Sequence, residues 1–342
     1  MISPLVAKAF FELDRAVQLG DPVRVIFPSR EGWFLRSLWK RCQAMGVVSS
    51  TQTPSLYLYA NRRILNRTQG IWEPNRREAI LGRPFSGTLD SLLYSRFGIK
   101  PQLTTVRLAE LGITSKQWIE LPRDQVFTHA TLLTLLGHDE IRDDFERSRS
   151  SYMRYLRASL GDEQLIYFDL GYSGSVAGSL SELLDRQIHA VFFQSHLPHL
   201  DQSSRTTIHS ALTPPQKPDS PLALGPLAII LEGIFRAPER GLLDFDVDAQ
   251  PIFDTIQEVD DDHFRLLEEI VEGIFVGLIA HLSRPEEQVD ELVRLLLLMA
   301  RVGSLPVPRD FLERLSVDDS YSGIATLSVS ETHRLKIVNS QR

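Results

Sequence analysis

The chain has 342 residues, 43% of them hydrophobic and 24% charged, a balance typical of folded globular proteins and not of disordered or collagen-like chains. Its length allows two domains or one elaborated α/β domain, and Cys42, the only cysteine, excludes a disulfide framework and a cysteine-rich metal site. The formal net charge of −7 argues against binding to nucleic acid through a basic surface.

The first elements along the chain predict a helix followed by a βαβ unit. Apolar residues recur at helical spacing over 5–19, which indicates an opening helix. Residues 23–27 are rich in β-branched and apolar types and predict a strand, after which the polar loop 28–32 leads into a helical pattern over 33–45. A second strand is predicted at 56–59. Since the strands of a βαβ unit are parallel, we expect them in a buried sheet.

Residues 64–160 interrupt this pattern with helix-length segments and little strand character, the clearest helix covering 138–160. The α/β pattern then resumes with a strand at 164–169, a loop of small residues, a helix that ends near Leu184 and a strand at 188–193. A second βαβ unit and a helical insertion between the two units follow from this order.

The last third of the chain is predicted to be mainly helical. Five prolines make 213–226 a loop or linker before a helix at about 227–235. Two long apolar-rich helices follow at about 262–282 and 285–302, and a short one near 309–315. The last twenty or so residues are polar, and we expect them to fray.

The fold class predicted from these patterns is α/β, with a parallel-sheet, Rossmann-like core formed by 1–63 and 161–215. Residues 64–160 are the helical insertion, and 216–342 form a helical cap or C-terminal subdomain. The N-terminus lacks the basic and apolar regions of a signal peptide, and no apolar run approaches the ~18 residues that span a bilayer. We therefore expect no membrane span and a cytoplasmic location.

Two loops at the carboxyl ends of predicted strands carry candidate functional residues. In 166–175 a buried strand ends in Asp169, and a Gly/Ser loop then opens a helix. Backbone N–H groups, hydroxyls and a helix N-terminus suit a phosphate, while a capped turn is the simpler alternative. The 28–32 loop lies at the same edge of the predicted sheet, where Arg30 would bind a second phosphate group if the two strands are neighbours.

The loop that follows the strand ending in Asp169 resembles the phosphoribosyl pyrophosphate loop of the type I phosphoribosyltransferases. In that family a hydrophobic strand leads to two acidic residues and then to Thr-Gly-x-Thr. Asp169 falls on the second acidic position, Ser173 and Gly174 fall on Thr-Gly, and Ser175 supplies a further hydroxyl. Phe168 stands where the first acidic residue would be, which removes the usual two-carboxylate hold on the ribose.

The 28–32 loop is similar to the pyrophosphate loop of that family, with Glu31 in place of a small residue. A closer resemblance, to a phosphoribosyltransferase-like domain of bacterial polysaccharide loci, is carried by 27–35, 57–63, 169–175, 231–235 and Ala237-Pro238. That domain is often fused to, or encoded beside, a haloacid-dehalogenase-like phosphatase. The resemblance implies that the enzyme places 5-phosphoribose on a sugar acceptor of an O-antigen or capsule, and that the phosphatase then leaves ribofuranose. This chain lacks the Asp-x-Asp-x-Thr/Val start of such a phosphatase.

The resemblance also implies partners and residue roles. The donor would be phosphoribosyl pyrophosphate, the acceptor a glycan that is free or lipid-linked, and magnesium (Mg²⁺) would act mostly through pyrophosphate and water, with Asp169 as its candidate protein ligand. Asp169 would also face the ribose hydroxyls or the developing cation. The phosphate ligands would be Gly171, Tyr172, Ser173, Gly174 and Ser175 for the 5-phosphate, and Ser29, Arg30, Arg62 and Arg63 for pyrophosphate or other anionic groups.

The general base is left open between two glutamates. Glu232 lies within the apolar stretch 227–235, where an unpaired charge is costly, and Glu31 competes for the same role. Two other functions also remain open: a non-catalytic domain that binds a nucleotide or phosphosugar, and a nucleotide-sugar glycosyltransferase. A serine hydrolase is excluded because its turn needs Gly-x-Ser-x-Gly and position 175 is Ser.

Overall fold

A five-stranded parallel β-sheet forms the centre of the computed structural model of the chain. Its strands are β1 (Val23–Pro28), β2 (Ser55–Leu58), β5 (Gln164–Asp169), β6 (Ile188–Gln194) and β7 (Thr206–Leu212), in the order β2-β1-β5-β6-β7. The structure describes residues 1–20, 22–171, 173–195, 205–213, 223–239, 241–254 and 261–302, with the short pieces 304–305, 316–317 and 327–328.

The other strands form three antiparallel pairs, which are β3 (Phe85–Thr88) with β4 (Trp118–Leu121), β8 (Leu242–Phe245) with β9 (Pro251–Phe253), and β10 (Ser316–Val317) with β11 (Leu327–Ser328). The helices of the described residues are α1 (Ser3–Gln18), α2 (Gly32–Ala44), α3 (Arg62–Leu65), α4 (Pro74–Leu81), α5 (Leu89–Phe97), α6 (Pro101–Glu110), α7 (Gln125–Leu136), α8 (Asp139–Ser159), α9 (Ser175–Leu184), α10 (Gly225–Ile234), α11 (Asp261–Leu282) and α12 (Glu286–Arg301). A π-helical turn, Asn66–Gly70, continues α3.

Side chains alternate between the two faces of the sheet, as the period of a strand requires. Phe27 and Phe168 belong to a hydrophobic cluster on one face, together with α1, α2, α10, α11 and α12. Ile26 and Tyr167 belong to a second cluster on the other face, together with α3, α8 and α9. Because both faces are covered, the central strands read in the sequence as nearly continuous apolar runs.

The order of the strands creates a switch point between β1 and β5. From β1 the chain passes through α2 to β2 on one side, and from β5 it passes through α9 to β6 on the other. Helices α2 and α9 consequently pack on opposite faces. In open α/β sheets the crevice at the carboxyl ends of two such strands is where ligands bind. A ligand site is therefore expected at the carboxyl ends of β1 and β5.

The segment between the two βαβ units has a hydrophobic cluster of its own, built by α4 to α8 with β3 and β4. The buried guanidinium of Arg67, 1% exposed, forms an ion pair with Asp144 of α8 within this segment and, at 3.3 Å, a second with Asp244 of β8, which joins the segment to the β8–β9 pair. Helices α11 and α12 pack against α1 and share the cluster on the first face of the sheet.

The helices and strands predicted for the α/β core are confirmed, with boundaries that differ by a few residues at most. The expectation of little strand character in 64–160 was wrong for β3 and β4, which are four residues each and include Ser86 and Gly87. The prediction also missed β7, whose edge position leaves it half-exposed and mixed in polarity, and β8 with β9. The helix expected near 309–315 lies outside the described residues. None of the helices described is both long and apolar enough to cross a membrane.

Candidate functional site

A polar cavity of about 300 Å³ lies at the switch point, at the carboxyl ends of β1 and β5. This volume is at the lower end of the range of small-molecule sites. Its lining brings together eight of the residues predicted from sequence, which are Ser29, Arg30, Glu31, Arg62, Arg63, Asp169, Gly171 and Glu232. These residues come from four separate parts of the chain, so the strand order creates the cluster.

The loop after β1 holds its polar groups in a fixed conformation. Ser29 donates its hydroxyl hydrogen bond to the carbonyl of Ala60 at 2.9 Å, which joins this loop to the end of β2. Arg30 has a φ of +83°, a left-handed conformation that costs a non-glycine residue about 1–3 kcal/mol. Its amide donates to the Tyr57 hydroxyl at 3.0 Å. A Cβ at Gly32 would lie 2.6 Å from the carbonyl carbon of Phe27, so α2 starts very close to the strand.

Asp169 ends β5 and is half-buried in the cavity wall. One carboxylate oxygen accepts from the Tyr167 hydroxyl at 3.0 Å and the other from the Leu170 amide at 2.8 Å. Burial raises the pKa of Asp169 to about 7, and the charge of the Glu31 carboxylate is the second cause of this rise. The two hydrogen bonds and the Arg62 guanidinium act in the opposite direction. The Asp169 carboxyl therefore has a pKa above that of an ordinary aspartate and keeps its proton to a higher pH.

Phe168 occupies the first acidic position of the resemblance, and its surroundings explain why a carboxylate is absent there. Its side chain is 0% exposed and packs against the rings of Phe10 at 5.7 Å, Phe27 at 5.5 Å and Phe193 at 5.7 Å between centroids. This side of the strand faces the hydrophobic cluster. A charge here would be desolvated without a partner, and the second carboxylate near Asp169 comes instead from Glu31.

The segment after β2 contributes Arg62 and Arg63, at the start of α3. The Asn61 side chain caps this helix by accepting from the Ile64 amide at 2.9 Å, and its amide group donates to the carbonyl of Leu242 at 2.9 Å. Asn61 therefore joins the second strand to the 241–242 wall of the cavity. It was not predicted from the sequence, although Asn three residues before a helical amide is a recognisable cap.

The loop after β5 splits between two cavities. Gly171 lines the first cavity with a φ of +123°, and a Cβ there would lie 2.2 Å from the Gln194 carbonyl oxygen. Ser175 lines a second, adjacent cavity, whereas Ser173 and Gly174 lie outside the lining of the first. Gly174 has a φ of +72° and precedes α9. Tyr172 lies outside the described residues.

A hydroxyl–carboxylate pair supports the loop after β1 from outside the lining of the first cavity. The Tyr57 hydroxyl, which accepts from the Arg30 amide, donates to the Glu239 carboxylate. Burial and the nearby Glu239 carboxylate raise the pKa of Tyr57, and burial also raises the pKa of Glu239. This pair was missed in the sequence because its members are 182 positions apart. Glu232 of α10 is half-buried and belongs to the lining of the first cavity.

No known family model matches the chain, and no curated protein matches it. The chemistry of the first cavity is therefore the guide to its ligand. It combines guanidinium groups and a tightly turned loop, which suit phosphate, with carboxylates that accept from hydroxyl groups. A ligand with anionic ends and a hydroxylated centre fits this lining.

Proposed function

We propose that the chain transfers 5-phosphoribose from phosphoribosyl pyrophosphate to a sugar hydroxyl of a polysaccharide intermediate and releases pyrophosphate, as the resemblance to type I phosphoribosyltransferases implies. The observation that carries the proposal is that the loop after β1 meets Asp169 and Gly171, at the carboxyl end of β5, in one cavity at the switch point of the sheet. The loop after β1 and the loop after β5 are then two ends of one binding site.

In this proposal each end of the donor has its own loop. The 171–175 loop, at the start of α9, binds the 5-phosphate through backbone N–H groups and hydroxyls. Ser29 and Arg30 bind pyrophosphate, with Arg62 and Arg63 as further cationic groups in the wall. The strained backbone of Arg30 keeps its position before the ligand arrives, so less ordering is needed on binding.

The transfer itself is a substitution at the anomeric carbon of ribose. The bond from C1 to the pyrophosphate oxygen breaks, its electron pair leaves with pyrophosphate, and a bond from the acceptor oxygen to C1 forms. The acceptor proton passes to Glu232 or Glu31, both in the cavity wall. Positive charge develops on the ribose in the transition state, and the ionised form of Asp169 stabilises it. Positioning and electrostatics supply the catalysis.

In this proposal Glu31 supplies the second carboxylate, which in type I phosphoribosyltransferases comes from the position that Phe168 occupies here. It interacts electrostatically with Asp169 across the cavity. The two carboxylates come from adjacent strands, so together they can accept from both ribose hydroxyls as a pair on one strand would. Glu31 forms an ion pair with Arg30, with 3.9 Å between the guanidinium Nε and a carboxylate oxygen.

The residues present fit magnesium of the kind that a pyrophosphate donor carries. The Glu31 carboxylate lies close enough to Asp169 to raise its pKa, and a divalent cation would stabilise both carboxylates in their ionised form. Mg²⁺ in phosphate sites uses one or two protein carboxylates and keeps several waters, and these two residues would hold it. When bound, it neutralises charge that develops on leaving pyrophosphate. No group of three or more metal-ligating side chains occurs among the described residues.

The product of this reaction still carries the 5-phosphate. A separate phosphatase of the haloacid-dehalogenase type must therefore act afterwards if free ribofuranose is to remain in the glycan. The proposal includes an acceptor that is free or lipid-linked and a cytoplasmic site of action, where Cys42 stays a buried free thiol.

A second candidate, a non-catalytic domain that binds a phosphosugar, is favoured by the single observation that Phe168 is a core residue. Pyrophosphate release separates the two candidates. We expect the wild-type protein to release pyrophosphate when it is given phosphoribosyl pyrophosphate, Mg²⁺ and a pool of polysaccharide intermediates. We expect Asp169→Asn to bind the donor but to release pyrophosphate at least about a hundredfold more slowly. Binding without release in the wild type would support the sensor.

A further inference from the structure

A second cavity, of about 420 Å³, opens between α9 and the helices α3 and α4 of the inserted segment. It is larger than the first cavity, and of the residues assigned to the donor only Arg62 and Ser175 line it. One wall belongs to the α/β core and the other to the insertion. The insertion therefore encloses a second cavity beside the first one.

The two cavities share part of their lining. Arg62 and Val176 contribute to both, and Ser175, at the end of the proposed 5-phosphate loop, lines the second. A ligand in the second cavity would therefore lie against the same arginine as the donor. Group transfer needs two substrates in adjoining sites, with their reacting atoms about 3–3.5 Å apart, and the shared rim provides the point of contact.

Polar bonds across the second cavity fix its shape. Arg76 of α4 donates to the Ser179 hydroxyl at 2.7 Å and forms an ion pair with Glu182, both on α9. Gln69 also donates to the Glu182 carboxylate, at 3.1 Å. These contacts join the insertion to the core, so the space between them is formed before any ligand binds, which lowers the ordering cost of binding.

The side chains that line the second cavity suit a sugar, and their charges favour a sugar that carries a carboxylate. The lining offers serine hydroxyls and asparagine amides for ring hydroxyls. Its charged side chains are Arg62, Arg76, Arg83, Glu73 and Glu182. Arg76 forms ion pairs with both glutamates, at 3.4 Å with Glu73, so the positive excess lies at Arg62 and Arg83. The excess is positive in a chain whose net charge is −7. Arginine binds carboxylates in a two-point geometry, which a neutral sugar cannot use.

We propose that the second cavity binds the acceptor, and that the acceptor ring placed there is an acidic sugar such as a uronate. The inference rests on the proposed function, since it names the substrate class of the same reaction. The acceptor hydroxyl points over the shared rim toward the ribose, while its carboxylate binds to the arginine-rich wall formed by α4 and the residues that follow it.

The test measures binding of methyl glucuronide and methyl glucoside to the whole protein by saturation-transfer NMR and titration. We expect the glucuronide to bind with a dissociation constant of about 1 mM, as a single polar ring allows, and the glucoside to bind at least about tenfold more weakly. Ala79→Trp fills the second cavity from an exposed position on α4. Ala109→Trp, exposed on α6, is the matched control.

We predict that glucuronide binding is lost in Ala79→Trp and kept in Ala109→Trp. In Arg83→Gln it should weaken to the glucoside level. Glucuronide binding that Ala79→Trp leaves intact, or equal binding of the two glycosides, overturns the inference. Phosphoribosyl pyrophosphate is titrated into the same proteins. If the wild type binds this donor but no glucuronide, the inference alone fails; if it binds no donor, the proposed function fails and the acceptor role with it.

Discussion

Replacing Asp169 with asparagine should change how the stability of the folded protein depends on pH. A carboxyl group whose pKa is higher in the folded than in the unfolded chain holds its proton longer when folded. The free energy of unfolding therefore falls as pH rises between the two values. For Asp169 this window runs from about 4 in the unfolded chain to about 7 in the folded protein. Because asparagine does not titrate, the free energy of unfolding of the variant does not fall for this reason over the same pH range.

The size of the effect follows from the shift of the pKa. About three pKa units correspond to about 4 kcal/mol across the whole window, of which about 3 kcal/mol is lost between about pH 5 and about pH 8. Asparagine accepts only one of the two hydrogen bonds that Tyr167 and Leu170 donate to Asp169. This loss lowers stability by about 1 kcal/mol at every pH. The variant should therefore be slightly less stable than wild type at acidic pH and more stable at alkaline pH.

Urea denaturation of both proteins at a series of pH values measures the difference in the free energy of unfolding. We expect this difference to move by about 3 kcal/mol in favour of Asp169→Asn from about pH 5 to about pH 8. Asp162→Asn, at an exposed position, is the control and should follow the wild type at every pH. Parallel curves for Asp169→Asn and wild type would refute the reasoning, because they would mean that the folded environment does not hold the proton.

Three further substitutions test the parts of the site. Tyr57→Phe removes the acceptor of the Arg30 amide, and should weaken pyrophosphate binding about tenfold in titration and lower stability by about 1–3 kcal/mol; unchanged binding would mean that Tyr57 does not position the loop. Phe168→Asp places a charge among aromatic rings and should lower stability by about 4 kcal/mol or more in denaturant unfolding without faster turnover; a stable, faster enzyme would contradict this packing argument. Gly171→Ala, at a φ of +123°, puts a Cβ 2.2 Å from a carbonyl oxygen, whereas Gly46→Ala, at a φ of +66°, has nothing within 4 Å, so the first should lower the melting temperature clearly more than the second; equal losses would exclude the close approach.

The elements of the α/β core were predictable because their signals are local. Residues 164–169 are a short apolar run that ends in Asp169, and glycine and serine then mark the turn into a helix, so both the strand and the start of α9 follow from neighbouring residues. The edge strand β7 was not predictable in the same way. Its mixed polarity reflects a half-exposed position, which only the strand order defines.

The site could be predicted as two loops but not as a cavity. Ser29 and Asp169 each follow a strand in the sequence, but their meeting depends on β1 and β5 being neighbours. The contributions of Tyr57 and Glu239 were missed because a hydroxyl in a strand and a carboxylate in a distant loop give no joint pattern. The second cavity needs the insertion to pack on α9, which no local pattern encodes.

In the proposed site two loops hold the two phosphate ends of one ligand, and titration of three proteins with three ligands separates their contributions. Wild type, Arg30→Gln and Ser173→Ala are each titrated, with Mg²⁺, with phosphoribosyl pyrophosphate, pyrophosphate and ribose 5-phosphate. We predict that both variants bind the whole donor more weakly, that Arg30→Gln alone loses affinity for pyrophosphate, and that Ser173→Ala alone loses affinity for ribose 5-phosphate. Failure of the wild type to bind the donor at millimolar concentration, or equal losses for all three ligands in both variants, would contradict the account.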